Sequence, residues 1–103
     1  LEEMTKDFGR EYERRIAEED GEKLQPLSGA GVQKEDSIGK IWLTQCKKTR
    51  NSSYKLNLKD LINLELNALQ LNKLPKFNIC FEQSNKEYEY VIITRKLWKK
   101  LNP

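Results

Sequence analysis

Histidine is absent from this 103-residue chain, which removes imidazole acid–base chemistry and most zinc sites from consideration. Cysteine is scarce. Cys46 and Cys80 each sit inside an apolar, strand-like run, the pattern of buried thiols in a cytosolic protein rather than of a disulfide framework. No apolar run approaches ~18 residues, so no membrane-spanning helix is expected. The opening stretch LEEMTKDFGR is acidic and polar, unlike a secretory signal.

What is present is charge and a regular scatter of apolar residues. Charged residues make up 34% and apolar ones 37%, the balance of a soluble globular chain with enough apolar content for one core. A chain of this length forms one domain, residues 1–103. The net charge of +3 hides an asymmetry: residues 1–22 carry nine acids against four bases, and residues 23–103 carry fifteen bases against seven acids. A basic surface facing a polyanion is one consequence. A solvated acidic helix beside an ordinary lysine-rich surface is another.

The spacing of Phe8, Tyr12 and Ile16 predicts an amphipathic helix over residues 5–19, stopped at Gly21. KLQP reads as a short strand and LSGAGVQKEDSIGK as a surface loop. From Lys40 the period becomes two, with Ile41, Leu43, Gln45 and Lys47 on one face and Trp42, Thr44 and Cys46 on the other. TRNSS then predicts a turn and YKLN a second strand, making a hairpin over 41–56.

Asn57 is placed to cap a helix running to about Asn72, with Asp60 at the capping-box position. The apolar residues of that helix cover more than half its circumference, wider than one sheet face can bury, which calls for a second element or a second subunit on it and, in so short a chain, favours a dimer. FNICF and YEYVII follow as strands around EQSNKE. Thr94 caps a last basic helix with Leu97, Trp98 and Leu101 as its buried side. The expected fold class is α/β, a mixed central sheet flanked by helices in the order α-β-β-β-α-β-β-α, with a parallel crossover from YKLN to FNICF.

One stretch carries chemistry. IWLTQCKKTR, residues 41–50, places Gln45 and Lys47 on one face of a strand, where a metal-dependent nuclease has a carboxylate and a lysine. Taken in order, YERRIA, QPLSGAG, EDS, IWLTQCKKT, SYKLNLKDL and ALQLNKLPKFNICF resemble the small Holliday-junction resolvases of archaeal and phage type, within the PD-(D/E)xK nuclease superfamily. The resemblance spans about residues 8–101. It implies a restriction-endonuclease-like fold and a homodimer, and a structure-selective endodeoxyribonuclease that cuts four-way junctions or other branched DNA with Mg2+ or Mn2+. The setting it implies is the cytoplasm of a prokaryote or of a phage-infected host cell.

Carried over residue by residue, the resemblance makes Glu13, Asp36 and the side chain at 45 the metal ligands and Lys47 the catalytic lysine. Arg14 becomes an adjacent functional arginine, and Ser28 falls in the loop that approaches DNA. Lys48, Arg50 and Lys55, in a stretch with no acid between Lys40 and Arg50, are the expected phosphate contacts. Gln45 departs from the pattern, because its amide oxygen is a weaker ligand for a hard cation than a carboxylate. Either the position was changed from Glu to Gln or the chain is a natural relative that binds DNA without cutting it. Glu35 is a lesser departure, standing where relatives often have Gly. A non-catalytic DNA-binding or scaffold protein on the same fold is the alternative, and an interaction protein using the leucine-rich helix is a third.

Overall fold

A computed structural model describes residues 2–24 and 37–103 of the chain. Helix α1 (Glu2–Asp20) is followed by the two-residue strands β1 (Lys23–Leu24) and β2 (Ser37–Ile38), then β3 (Trp42–Thr49), helix α2 (Leu58–Gln70), β4 (Leu74–Gln83), β5 (Lys86–Ile92) and helix α3 (Arg95–Leu101). One mixed sheet runs in the spatial order β1-β2-β3-β4-β5. Its body is β3, β4 and β5, with β3 and β4 parallel and β4 and β5 antiparallel. The α/β class with a mixed sheet flanked by helices is therefore observed.

The expected hairpin over 41–56 is not. Residues 50–57 form no strand, and the partner of β3 on that side is β2, pairing Ser37 with Thr44 and Ile38 with Leu43. Alternation of Tyr54 and Leu56 gives YKLN a strand-like pattern, but Tyr54 packs its ring 6.3 Å from that of Phe77 while Leu56 stays exposed. Packing onto the core takes Tyr54 out of any sheet. The parallel crossover accordingly starts from β3 and passes through α2 to β4.

Alternation along the strands then sorts the core into two faces. Leu43, Phe77 and Ile79 point toward Leu64 and Ala68 of α2. Cys46 and Cys80 point toward Tyr12 and Ile16 of α1. Both cysteines are buried thiols outside any disulfide, as their apolar runs predict. α1 ends as expected at Gly21, whose φ of 66° suits glycine, with the Glu22 amide donating to the Ala17 carbonyl at 2.7 Å.

Just beyond the end of α2, Asn72 is also left-handed, at φ 56°. At its other end Asn57 is the N-cap residue, yet its side chain makes no capping hydrogen bond. The β4–β5 turn is Ser84-Asn85 with φ of 51° and 64°, the two-residue connection whose twist matches antiparallel strands. Thr94 caps α3 as predicted, accepting from the Leu97 amide at 3.0 Å. Of the three apolar residues expected under α3, only Leu97 is buried; Trp98 and Leu101 are exposed. No helix among the described residues is long and apolar enough to cross a membrane.

Candidate functional site

β3 is eight residues of extended chain locked between β2 and β4, so the direction of each of its side chains is set by the pleat. Gln45 and Lys47 share the face of Leu43, the α2 side, and stand opposite Phe77 and Ile79 in the register. Beyond the packed cluster this face opens into a cleft of about 210 Å³. Gln45 and Lys47 line it from the strand. Asp60, Asn63 and Asn67 line it from α2, with Leu64 and Phe77 as its apolar part.

The three polar residues of α2 fall at i, i+3 and i+7, one stripe of an α-helix. That stripe is present in the sequence, but there a capping role accounts for Asp60, and the asparagines are overshadowed by the wide apolar face of the same helix. Since Asn57 makes no reciprocal cap, the capping-box reading of Asp60 loses its partner.

The remaining expected site residues distribute as follows. Glu13 is half-buried on α1 and receives a 3.0 Å hydrogen bond from Arg10 Nη1. α1 packs on the Cys46 face, so the sheet lies between that helix and the cleft, and Glu13 is not among the residues lining it. The strand register thus corrects the expectation that Glu13 converges with Gln45 and Lys47. Arg14 is exposed on the same helix. Asp36 and Ser28 lie outside the described residues. Among the described residues no three acidic or thiol side chains are grouped to hold a metal ion.

The basic stretch after Gln45 also divides by face. Lys48 points to the α1 side, where its Nζ lies 2.9 Å from Glu87 and 3.2 Å from Glu82. Arg50 Nε bonds Glu82 at 3.2 Å. Arg15 joins the same network from α1, at 2.9 Å from Glu89 and 3.5 Å from Glu87. Burial works against the Lys48 ammonium, but hydrogen bonds to Glu87 and then Glu82 outweigh it and raise its pKa. In return Lys48 holds Glu82 and Glu87 below the ordinary carboxylate range. The acids that neutralise Lys48 and Arg50 come from the β4–β5 hairpin, more than thirty residues away, which a local count of charge does not reveal.

Lys47 is different. It is exposed, and no described carboxylate lies within ion-pair distance of it. Lys55 is exposed and likewise makes no ion pair with a described residue. Every described cation on the α1 side of β3 and β4 is engaged by carboxylate, while the cleft holds an ammonium without such a partner among the described residues, beside carboxamides and one carboxylate.

Such an arrangement is suited to a phosphate ester: the ammonium and the carboxamide nitrogens donate to anionic oxygens. Its oxygen donors, the Asp60 carboxylate and the amide carbonyls of Gln45, Asn63 and Asn67, are the hard type that suits Mg2+ or Mn2+. With one exposed carboxylate beside the Lys47 ammonium among the described lining residues, they do not by themselves make a site for such an ion. Cys46 and Cys80 offer no nucleophile. Burial, followed by the contact with Glu87, pushes the Cys80 thiol up to about 11, and neither cysteine lines the cleft.

No family model, curated protein or solved structure matches the chain.

Proposed function

We propose that the chain is a nuclease-type, DNA-binding domain whose α2-side cleft receives the phosphodiester backbone of branched DNA. Its chemistry would be that of a structure-selective endodeoxyribonuclease weakened or silenced by Gln45. The observation that carries the reading is the pairing of Gln45 with Lys47, ion-pair-free among the described residues, in one cleft, together with the resemblance of the surrounding segments to the small Holliday-junction resolvases. Lys47 donates to a non-bridging phosphate oxygen and steadies charge that develops there. Carboxamides of Asn63 and Asn67 hold a second oxygen, fixing the ester against the strand. In the enzymatic half of this reading Mg2+ or Mn2+ would supply Lewis-acid polarisation of a phosphate oxygen once a carboxylate is restored at position 45. Lys55, exposed in the segment that leads into α2, extends the contact to a neighbouring phosphate without reading bases, whereas Arg14, on the other side of the sheet, is left out of it. A second copy seated on the exposed apolar side of α2 would give two such clefts for two arms of a junction.

Gel shift on a four-way junction and on linear duplex at two salt concentrations tests the binding step. Affinity should fall with salt, and Lys47→Ala should lower the slope of log affinity against log salt by about 1. Gln45→Glu should then create Mg2+-dependent cleavage of the junction. Junction binding that is absent at both salt concentrations overturns the whole reading; binding without cleavage by the Gln45→Glu variant overturns the enzymatic half. That second outcome is the non-catalytic DNA-binding reading.

A further inference from the structure

Alternation divides the β4–β5 hairpin into two unlike faces. Glu82, Glu87 and Glu89 point to the α1 side, where Lys48, Arg50 and Arg15 hold them. Phe81, Tyr88 and Tyr90 point the other way, onto the face that carries Lys47. The register sets Lys47 beside Ile79 and Ile79 beside Tyr90, with Phe81 beside Tyr88 two residues further along. Lys86 continues that face at the turn. α2 packs over β3 and β4 and leaves Tyr88 46% and Tyr90 57% exposed. Phe81 is half-buried beside them, and its ring meets that of Tyr90 edge-on, with 6.4 Å between centroids and 74° between planes.

Charge is sorted in the same way. On this side β3, β4 and β5 contribute no carboxylate, and neither Lys47 nor Lys86 has a described carboxylate within ion-pair distance. Asp60, the acid that borders the face at the cleft, belongs to α2. A face patterned only to stabilise the sheet sets opposite charges across its strands, as the α1 side does. Exposed rings flanked by uncompensated ammonium groups instead match a polyanion with flat apolar faces, which describes an unpaired nucleic-acid strand. Tyr88 and Tyr90 stand two strand residues, about 7 Å, apart, twice the ~3.4 Å rise of stacked bases in a duplex. Paired bases keep their faces against one another, so only bases splayed out of the stack can lie on two such rings.

We infer that Tyr88, Phe81 and Tyr90 form a stacking platform for unpaired DNA bases, with Lys47 and Lys86 holding phosphates at its two ends. The inference deepens the DNA-binding reading, on which it rests for the identity of the polymer. It names the part of a branched substrate that is recognised: the bases opened at the branch, in addition to the backbone of the arms.

The experiment is titration of a fluorescently labelled oligothymidylate with the full chain, read by anisotropy, beside a blunt DNA duplex. Tyr88→Leu and Tyr90→Leu should each weaken binding of the single strand about tenfold and leave the duplex unchanged, whereas Tyr88→Phe and Tyr90→Phe should retain it. Lys86→Ala should lower the slope of log affinity against log salt for the single strand by about 0.7. Leucine keeps an apolar side chain on the strand, and an unchanged thermal midpoint verifies the fold. Independently of any variant, bromodeoxyuridine placed in the oligonucleotide should cross-link under ultraviolet light to the peptide carrying Tyr88 and Tyr90. Absence of single-strand binding, equal affinity in the leucine variants, or cross-links confined to other segments overturns the inference. Loss of dimer mass by light scattering in the leucine variants assigns the row to a second copy and overturns it as well. The two readings fail separately. Tyrosine-dependent binding of oligothymidylate by a chain that ignores the four-way junction leaves the platform standing and removes the junction reading. Junction binding and cleavage by Gln45→Glu that are the same with and without the leucine substitutions remove the platform and leave the junction reading.

Discussion

Lys76 keeps its charge inside the protein. It is 7% exposed on β4, bonded to Asp20 and lying 3.0 Å from Glu22, with the Trp42 ring 6.0 Å from its Nζ. Burial disfavours its ammonium, and the two carboxylates, Asp20 and then Glu22, more than restore it. Because the Glu22 side chain is only 1% exposed, removing the lysine takes a cation away from a buried carboxylate. Lys76→Met should cost about 3–5 kcal/mol, measured by urea unfolding. Adding Glu22→Gln to that variant should recover most of the loss, and a double variant no better than the single would show that the charge pair is not the cause. At this scale the sequence conveys chemistry well and neighbours poorly. The burial of Cys46 and Cys80 and the capping by Thr94 are legible because each follows from its immediate surroundings. The partners of Lys76, Lys48 and Arg50 are not, because an ion pair across fifty or thirty residues leaves no local trace. Asp60 misleads for the reverse reason: a plausible local partner, the Asn57 cap, hides the cleft it lines.

Among the elements, the β4–β5 hairpin acts as a clamp. Its carboxylates Glu82, Glu87 and Glu89 grip Lys48 and Arg50 after the centre of β3 and Arg15 of α1, tying three segments to one edge of the sheet. Glu82 and Glu87 are depressed below their ordinary value of 4.5, chiefly by hydrogen bonds from Lys48. A depressed carboxylate contributes stability above its unfolded value and loses it as the pH falls through the folded one. Urea midpoints should therefore be flat just above the ordinary value of 4.5 and decline below it, and Lys48→Met should flatten that decline. An identical decline in the variant would place the acid sensitivity elsewhere. Element boundaries are readable where a backbone signal coincides with the end of a periodic run, as at Gly21 and at the Ser84-Asn85 turn. The YKLN strand fails because alternation of two apolar residues is too short to separate a strand from a loop that drops one ring onto the core.

For the molecule as a whole, α2 shows what the structure adds to an amphipathic pattern. Leu64 and Ala68 are buried against the sheet, while Leu58 is 70% and Leu69 76% exposed, with Ile62 and Leu66 beside them. The excess width of the stripe is visible in the sequence, and the fold leaves it facing outward. As the surface for a second copy, it predicts a dimer mass by light scattering at micromolar concentration. Leu66→Glu with Leu69→Glu should return the mass to that of one 12.2 kDa chain. A monomer before the substitutions would remove the two-cleft arrangement proposed for junctions.

The crossover through α2 is what permits β3 and β4 to run in the same direction, and that helix also supplies much of the cleft's polar lining. Chain connectivity therefore ties the shape of the cleft to the cooperativity of the fold. Hydrogen-exchange protection of the amides flanking Leu64 and Ala68 should match that of β4, since undocking this helix also uncovers Phe77 at the heart of the sheet.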